Sequence, residues 1–157
     1  MAIRKIVKLG EDEVLRKRAR KVDTFDKRLW TLLDDMHETL RAAEGAGLAA
    51  PQVGVLRALA LVMLEDESYL EIINPEIVKR EGTQDGPEGC LSVPGRYGMV
   101  ERPNKVTVKA QDRHGNPFTY EAEGFTARAF CHEIDHLHGH LFTELVSEYL
   151  DMEDMEE

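Results

Sequence analysis

The chain has 157 residues, 42% of them apolar, two cysteines and a formal net charge of −10. That length fits one domain over 1–157 with one sizeable core, and no run of about 18 apolar residues exists to span a membrane. The acidity argues against direct nucleic-acid binding, two cysteines do not make a disulfide framework, and "MAIRKIVKLG" lacks the apolar core and cleavage site of a secretory signal, so the cytoplasm is the expected location.

In chain order, "DEVLRKRARKV" predicts a short helix. A longer helix is predicted from about 24 to 44, where Phe25, Leu29, Leu32, Met36, Leu40 and Ala43 recur at helical spacing. Asp23 or Thr24 would cap its start and Gly45 would end it. Trp30 and Leu33 widen the apolar face, so this helix should pack on a sheet. "GAGLAAPQVG", from Gly45 to Gly54, reads as a loop or irregular strand. "LRALALVML" reads as a buried strand, and 69–73, 77–79 and 91–93 as short strands. The segments 105–110 and 118–121 flank "QDRHGNP", which has hairpin chemistry. A last helix is predicted over about 126–138. Seven acids and no base lie from Glu144 to Glu157, which reads as a solvated acidic tail from about 144, helical at most at its start. Helices, then strands in bulk, then a helix predict an α+β fold. Short mixed or antiparallel strands would pack around the C-terminal helix, with helices at the N-terminus.

That last helix carries "AFCHEIDHLHGH", with His132, His136, His138 and His140 inside nine residues. Residues four apart share a helix face, so His132 and His136 project side by side. Glu133 can face the same point. This is H-E-x-x-H: two imidazoles hold an ion and the carboxylate takes a proton from its water. His140 lies four residues further on, but Gly139 fits the position that stops a helix. His138 is turned about 200° from His136 at roughly 100° per residue. Both read as exposed or as partners of the helix C-terminus. The alternative for the whole pattern is a core or capping histidine pair.

A third ligand would settle between these, and no histidine extension follows in "LFTELVSEYLDMEDMEE". Cys131 is rotated about 100° from His132 and reads as a small buried hydrophobe. Cys90, in the turn-rich "PEGCLSVPG", could close a Cys-His-His site with one position open for water, which is a catalytic arrangement. Taken alone, Cys90 is more simply a packed free thiol.

Three segments, "GAGLAAPQ" (Gly45 to Gln52), "EGCLS" (Glu88 to Ser92) and "HEIDH" (His132 to His136), resemble in order and spacing the three motifs of peptide deformylases. The likeness runs from "VLR" near Val14 to about Leu141. It implies a single catalytic domain that removes the N-formyl group from the initiator methionine of new bacterial polypeptides. It carries over Cys90, His132 and His136 as metal ligands and Glu133 as general base and acid. Gln52 and the N–H of Leu91 become oxyanion partners, and Gly47 a contact to the substrate backbone. The implied ion is Fe²⁺ in the cell, with Zn²⁺, Ni²⁺ or Co²⁺ able to take its place. The implied partners are N-formylmethionyl peptides and a transient ribosome contact, for a monomer in the cytosol. Two positions depart from the pattern: Cys131 stands where glutamine is commoner, and Arg128 where several relatives have an aliphatic residue near the methionine pocket.

The residue types suit that chemistry. A divalent ion activates water and polarises the formyl oxygen, Glu133 moves the proton to the leaving amine, and Gln52 with the Leu91 N–H stabilises the oxyanion. Gly45 and Gly47 lack a Cβ, so a substrate backbone can approach and pair as an added strand; plain turn geometry is the alternative. Asp135 is read as orienting a ligand or pairing with an arginine, and Glu88 as supporting a ligand or as a solvated carboxylate. Three rival functions share parts of this pattern. A cysteine hydrolase would use Cys90 as nucleophile. A metal-binding module would dock through the acidic tail. A general endoprotease would share H-E-x-x-H but not the upstream cysteine.

Overall fold

The structure is a computed structural model that describes residues 2–11 and 13–150. It has the expected α+β architecture: two antiparallel sheets, one long N-terminal helix and a C-terminal helix that touches both sheets. No helix among the described residues is long and apolar enough to cross a membrane.

The first helix, α1, is Lys27–Ala43. Its N-cap is Asp26, whose side chain accepts the Leu29 N–H at 3.1 Å. Phe25 and Trp30, before and four positions after the cap, join one apolar cluster, the staple that sets where a chain enters a helix. The helix therefore starts later than predicted, with neither Asp23 nor Thr24 as cap. It ends at Glu44, in the left-handed region at φ 55°. Gly45, just beyond, lies under two leucine side chains: a Cβ there would lie 2.9 Å from Cδ1 of Leu40 and of Leu91.

The helix predicted in "DEVLRKRARKV" is one 3₁₀ turn, Glu13–Arg16. Beyond it the chain runs extended, because distant groups take its backbone bonds. The Ala19 N–H donates to Leu137 O at 2.8 Å and the Arg20 N–H to Leu56 O at 3.0 Å.

The strands are β1 Gly47–Ala49, β2 Leu59–Met63, β3 Tyr69–Glu81, β4 Gln84–Cys90, β5 Val93–Arg102, β6 Lys105–Gln111, β7 Pro117–Glu123 and β8 Glu148–Leu150. The larger sheet has the order β1-β2-β3-β6-β7 and the smaller β4-β5-β8. In β2, Leu59 and Leu61 face α1 and its Leu29, Leu33, Met36 and Leu40. Ala60 and Val62 face the other way, toward the C-terminal helix and its Phe130 and Ile134. Burial on both faces is why "LALVM" is apolar throughout and does not alternate.

Three expectations for the strands are corrected. The strands predicted at 69–73 and 77–79 are the single strand β3, with Asn74 at φ 51° where the pairing register shifts. The strand predicted at 91–93 is mostly a turn: Cys90 pairs with Val93, and Leu91 and Ser92 turn between them. Strands β4 and β5 were not foreseen because they are rich in glycine and proline. A Cβ at Gly89 would sit 2.5 Å from the Tyr97 ring, and one at Gly98 would sit 2.6 Å from Val146, so neighbouring side chains lie directly over this backbone.

The second helix, α2, is Gly124–Leu137, with His138 as C-cap and Gly139 left-handed at φ 81° just beyond. The segment read as the start of a solvated tail is not helical. Phe142–Glu144 is a 3₁₀ turn whose Phe142 is buried, and β8 pairs with Tyr97 to Met99 of β5. The remainder of that acidic segment, 151–157, lies outside the described residues.

Candidate active site

His132 and His136 lie one turn apart on α2, both buried, with ring centroids 5.0 Å apart. Cys90 ends β4 and faces them. Its Sγ lies 3.3 Å from His136 Nε2, and the three ligand atoms of Cys90, His132 and His136 all fall within 4.8 Å of one another. Metal–ligand bonds of about 2.0–2.3 Å in a tetrahedron give edges close to that 3.3 Å.

Glu88 sits two residues before Cys90 on β4, and its Oε1 lies 2.9 Å from His132 Nδ1. That contact leaves Nε2 of His132 to face the cluster. Glu88 is itself held by Arg102, through Nε at 2.7 Å and Nη2 at 2.9 Å, and by Arg128 Nη1 at 2.8 Å. Arg102 also donates to Asp135 at 2.6 Å. Glu88 is thus buried against His132 and is not a solvated carboxylate, and Asp135 pairs with an arginine.

The electrostatics follow from burial and these contacts. Burial pushes the Glu88 carboxyl up, but hydrogen bonds from Arg102 and His132 outweigh it and hold the group at about 2. Burial pushes His132 down, yet Cys90 and Glu88 beside it raise it well above the ordinary value, so this position favours positive charge. His136 is pushed well below its ordinary value by burial and then by His132, which keeps it a neutral donor of a lone pair. A thiol, a neutral imidazole and a second imidazole in a place that favours a cation fit a borderline-soft divalent ion. The described residues therefore could hold one metal ion at Cys90, His132 and His136.

Glu133 is buried beside this cluster, and burial pushes its carboxyl up to about 7. Its Oε1 has no hydrogen-bond partner among the described residues. A Cβ on Gly47 would collide with this carboxylate, with Cδ at 2.8 Å and Cγ at 2.9 Å. Glycine in β1 therefore admits Glu133 itself, a reason that spacing could not reveal. Gln52, in the 3₁₀ turn Ala50–Val53, accepts the Ala49 N–H on Oε1 at 2.9 Å. That fixes the amide, so Nε2 points to Ser92 Oγ at 3.1 Å and to Cys90 Sγ at 3.5 Å. Leu91 lies in the turn next to Cys90.

Gly47, Glu88, Cys90, His132 and Glu133 border one cavity of about 400 Å³, walled also by Gly45, Leu91, Tyr97, Phe125, Arg128 and Ala129, while Gln52 and His136 lie behind its lining. Phe125 is exposed at its rim, and Arg128 is buried in its wall, bonded to Val100 O at 2.9 Å as well as to Glu88. Of the four histidines, His138 and His140 are exposed, as expected, and the His140 ring meets Glu144 at 3.2 Å. Cys131 is a buried thiol pushed up to about 11 by burial and takes no part in the cluster. Two contributors were missed. Ser92 lay inside a quoted motif but had no assigned task, and Arg102, on β5, had no local signal.

A family model described as polypeptide deformylase matches residues 3–150. The chain belongs to the polypeptide deformylase family. A peptide deformylase of Caldicellulosiruptor bescii is 55% identical over 157 residues, which is all of this chain and 93% of that one. Peptide deformylase 2 of Clostridium acetobutylicum is 52% identical over 151 residues, 96% of this chain and 99% of that one. The crystal structure of a peptide deformylase from Legionella pneumophila superposes with a TM-score of 0.89 at 50% identity, covering 93% of this chain and 87% of that one. This member of the deformylase family is thus an enzyme, a hydrolase whose residues from all three deformylase-like motifs meet at one cavity.

Proposed function

We propose that the protein hydrolyses the formyl amide of N-formylmethionyl peptides, releasing formate. The observation that carries this reading is the convergence of Cys90, His132 and His136 on one point, with the buried Glu133 carboxylate beside it, its Oε1 without a hydrogen-bond partner among the described residues. Cys90, His132 and His136 would hold the ion, which in the cell is Fe²⁺, with Zn²⁺, Ni²⁺ or Co²⁺ as substitutes. When bound, a divalent ion acidifies water and polarises a carbonyl oxygen.

The chain's own groups supply the rest. Glu133, poised near 7, accepts a proton from the attacking water and passes it to the leaving amine nitrogen. The Nε2 of Gln52 and the N–H of Leu91 stabilise the oxyanion, and losing one such donor typically costs about 2.7–4 kcal/mol. Glu88 keeps His132 in one tautomer, and Arg102 and Arg128 keep Glu88 ionised. The apolar cavity takes the methionine side chain, and the edge of β1 at Gly47 takes the substrate backbone. We further assign the chain a single catalytic domain acting as a monomer in the bacterial cytosol.

Formate release from a formyl-Met-Ala-Ser peptide tests this, using protein purified without oxygen and Glu133→Gln beside it. Release by the unaltered protein alone, with equal metal in both, supports the reading. No formate from a folded, metal-loaded protein would sink it. Loss of activity in air by the iron form but not the zinc form would support iron.

A further inference from the structure

Among the described residues, Arg128 is the one lysine or arginine in the cavity wall, and it is only 4% exposed. Burying a guanidinium is costly unless its N–H groups find acceptors. Nη1 donates to Glu88 Oε2 at 2.8 Å, Val100 O at 2.9 Å and Gly86 O at 3.3 Å. Nη2 has one long contact, to Gln84 Oε1 at 3.4 Å. Nε has no acceptor among the described residues. The Nε–H and one N–H of Nη2 are left over. Nor is Nε sealed in: the fully buried side-chain atoms without a partner belong to His37, Glu38, Glu133 and His136. The open space that Arg128 borders is the cavity.

The guanidinium lies against β4. A Cβ on Gly86 would sit 2.9 Å from Nη2, 3.1 Å from Cζ and 3.3 Å from Nε. Gly86 is not in the cavity lining, whereas Pro87, Glu88 and Arg128 are. The β4 backbone thus covers one side of the guanidinium and the cavity lies on the other. The neighbouring wall offers little to a spare N–H. Leu91, Val93, Phe125 and Ala129 are apolar, and the Glu88 oxygens are already shared by Arg102, Arg128 and His132.

The consequence falls on the side chain that fills the cavity. A thioether is a weak acceptor, so methionine displaces water from these N–H groups and returns little. A stronger acceptor at the sulfur position would use them. Charge narrows the choice. Arg102 and Arg128 are balanced by Glu88 and Asp135, and Glu133 adds a carboxylate to the lining. The cavity therefore offers donors without surplus positive charge. A carboxylate side chain would face Glu88 and Glu133, and a neutral dipolar acceptor would not. Methionine sulfoxide is such an acceptor, one oxygen away from methionine.

We infer that Arg128 is a specificity-determining residue that lets the cavity take methionine sulfoxide, whose oxygen accepts from Nε and Nη2. The substrate class becomes N-formyl peptides that begin with methionine or with its sulfoxide. This deepens the deformylase reading above and rests on it. Oxidation makes the sulfur a stereocentre. A guanidinium fixed on one wall meets one epimer better than the other, so the two epimers separate in rate.

Formate release by metal-loaded protein tests it, on formyl-Met-Ala-Ser, on the two separated sulfoxide epimers of that peptide and on formyl-Glu-Ala-Ser. The better epimer should reach a kcat/KM within about tenfold of the thioether peptide, and the glutamyl peptide should fall more than about a hundredfold below it. Arg128→Leu should slow both methionine peptides, because Glu88 loses a partner. A purely structural role would slow them equally. The inference requires the ratio of sulfoxide to thioether kcat/KM to fall by at least about tenfold. Arg128→Lys, whose one nitrogen is taken by Glu88, should lower that ratio too and serves if the leucine variant does not fold. An unchanged ratio in the variants, or a glutamyl peptide as good as the sulfoxide, would overturn the inference. Formate from the thioether peptide alone would overturn it and leave the deformylase reading. No formate from any peptide by folded, metal-loaded protein would sink both.

Discussion

Gly47 and Glu133 show how one residue's absence of a side chain decides another's position. The β1 backbone at Gly47 and the Glu133 carboxylate occupy space that a methyl group would need. Gly47→Ala should therefore leave the fold in place and push the carboxylate aside. A displacement of about 1 Å can cost on the order of 10²-fold in rate. The expected result is roughly that loss in kcat for formate release, with thermal unfolding near that of the parent. An unchanged kcat would mean that Glu133 is not placed by this contact. The two histidines and Glu133 were legible because four-residue spacing on a helix is a local rule. Cys90 was legible only through the likeness of its flanking motif, since 46 residues separate it from His136. The work of Glu88 was undecidable from sequence, because Arg102 and Arg128 come from β5 and α2.

Among the elements, α1 was the easiest to foresee and its ends the hardest. Its apolar stripe recurs strictly, but Asp23, Thr24 and Asp26 can all cap a helix. Packing of Phe25 and Trp30 in one cluster selects Asp26. Asp26→Ala should cost about 1 kcal/mol, read as a lower urea midpoint at unchanged slope. Thr24→Ala should cost far less, and equal losses would contradict the assigned cap. The smaller sheet was missed because its strands lack alternation. Their glycines mark where Tyr97 and Val146 lie over the backbone, a pattern visible only after folding. The 3₁₀ turn at Glu13–Arg16 shows the same competition from the other side, with tertiary hydrogen bonds overriding helical propensity.

At the scale of the molecule, charge away from the cavity ties distant parts together. Glu71 on β3 meets His37 of α1 at 2.8 Å and Arg113 of the β6–β7 turn at 2.5 Å. Burial pushes its carboxyl up, but the hydrogen bonds from His37 and Arg113 outweigh that and hold it at about 2, below the ordinary 4.5. A carboxyl lowered by folding stabilises the native state above its unfolded value and loses that contribution as pH falls through the folded value. The contribution, on the order of 1 kcal/mol after solvent screening, should be present above pH 4.5 and fade toward pH 2. Urea midpoints measured across that window should converge for the parent and Glu71→Gln as pH falls. A constant gap would show that Glu71 acts by packing and not by charge.

The spacing of Cys90 and the two histidines has a mechanical consequence. The thiol belongs to the hairpin of the smaller sheet, and the imidazoles to the helix that backs the larger one. An ion gripped by all three would stitch two layers of the molecule across a loop of 46 residues, as a covalent cross-link does. Its binding free energy would then count as folding free energy. The catalytic centre and the clasp that holds the layers shut would be one object.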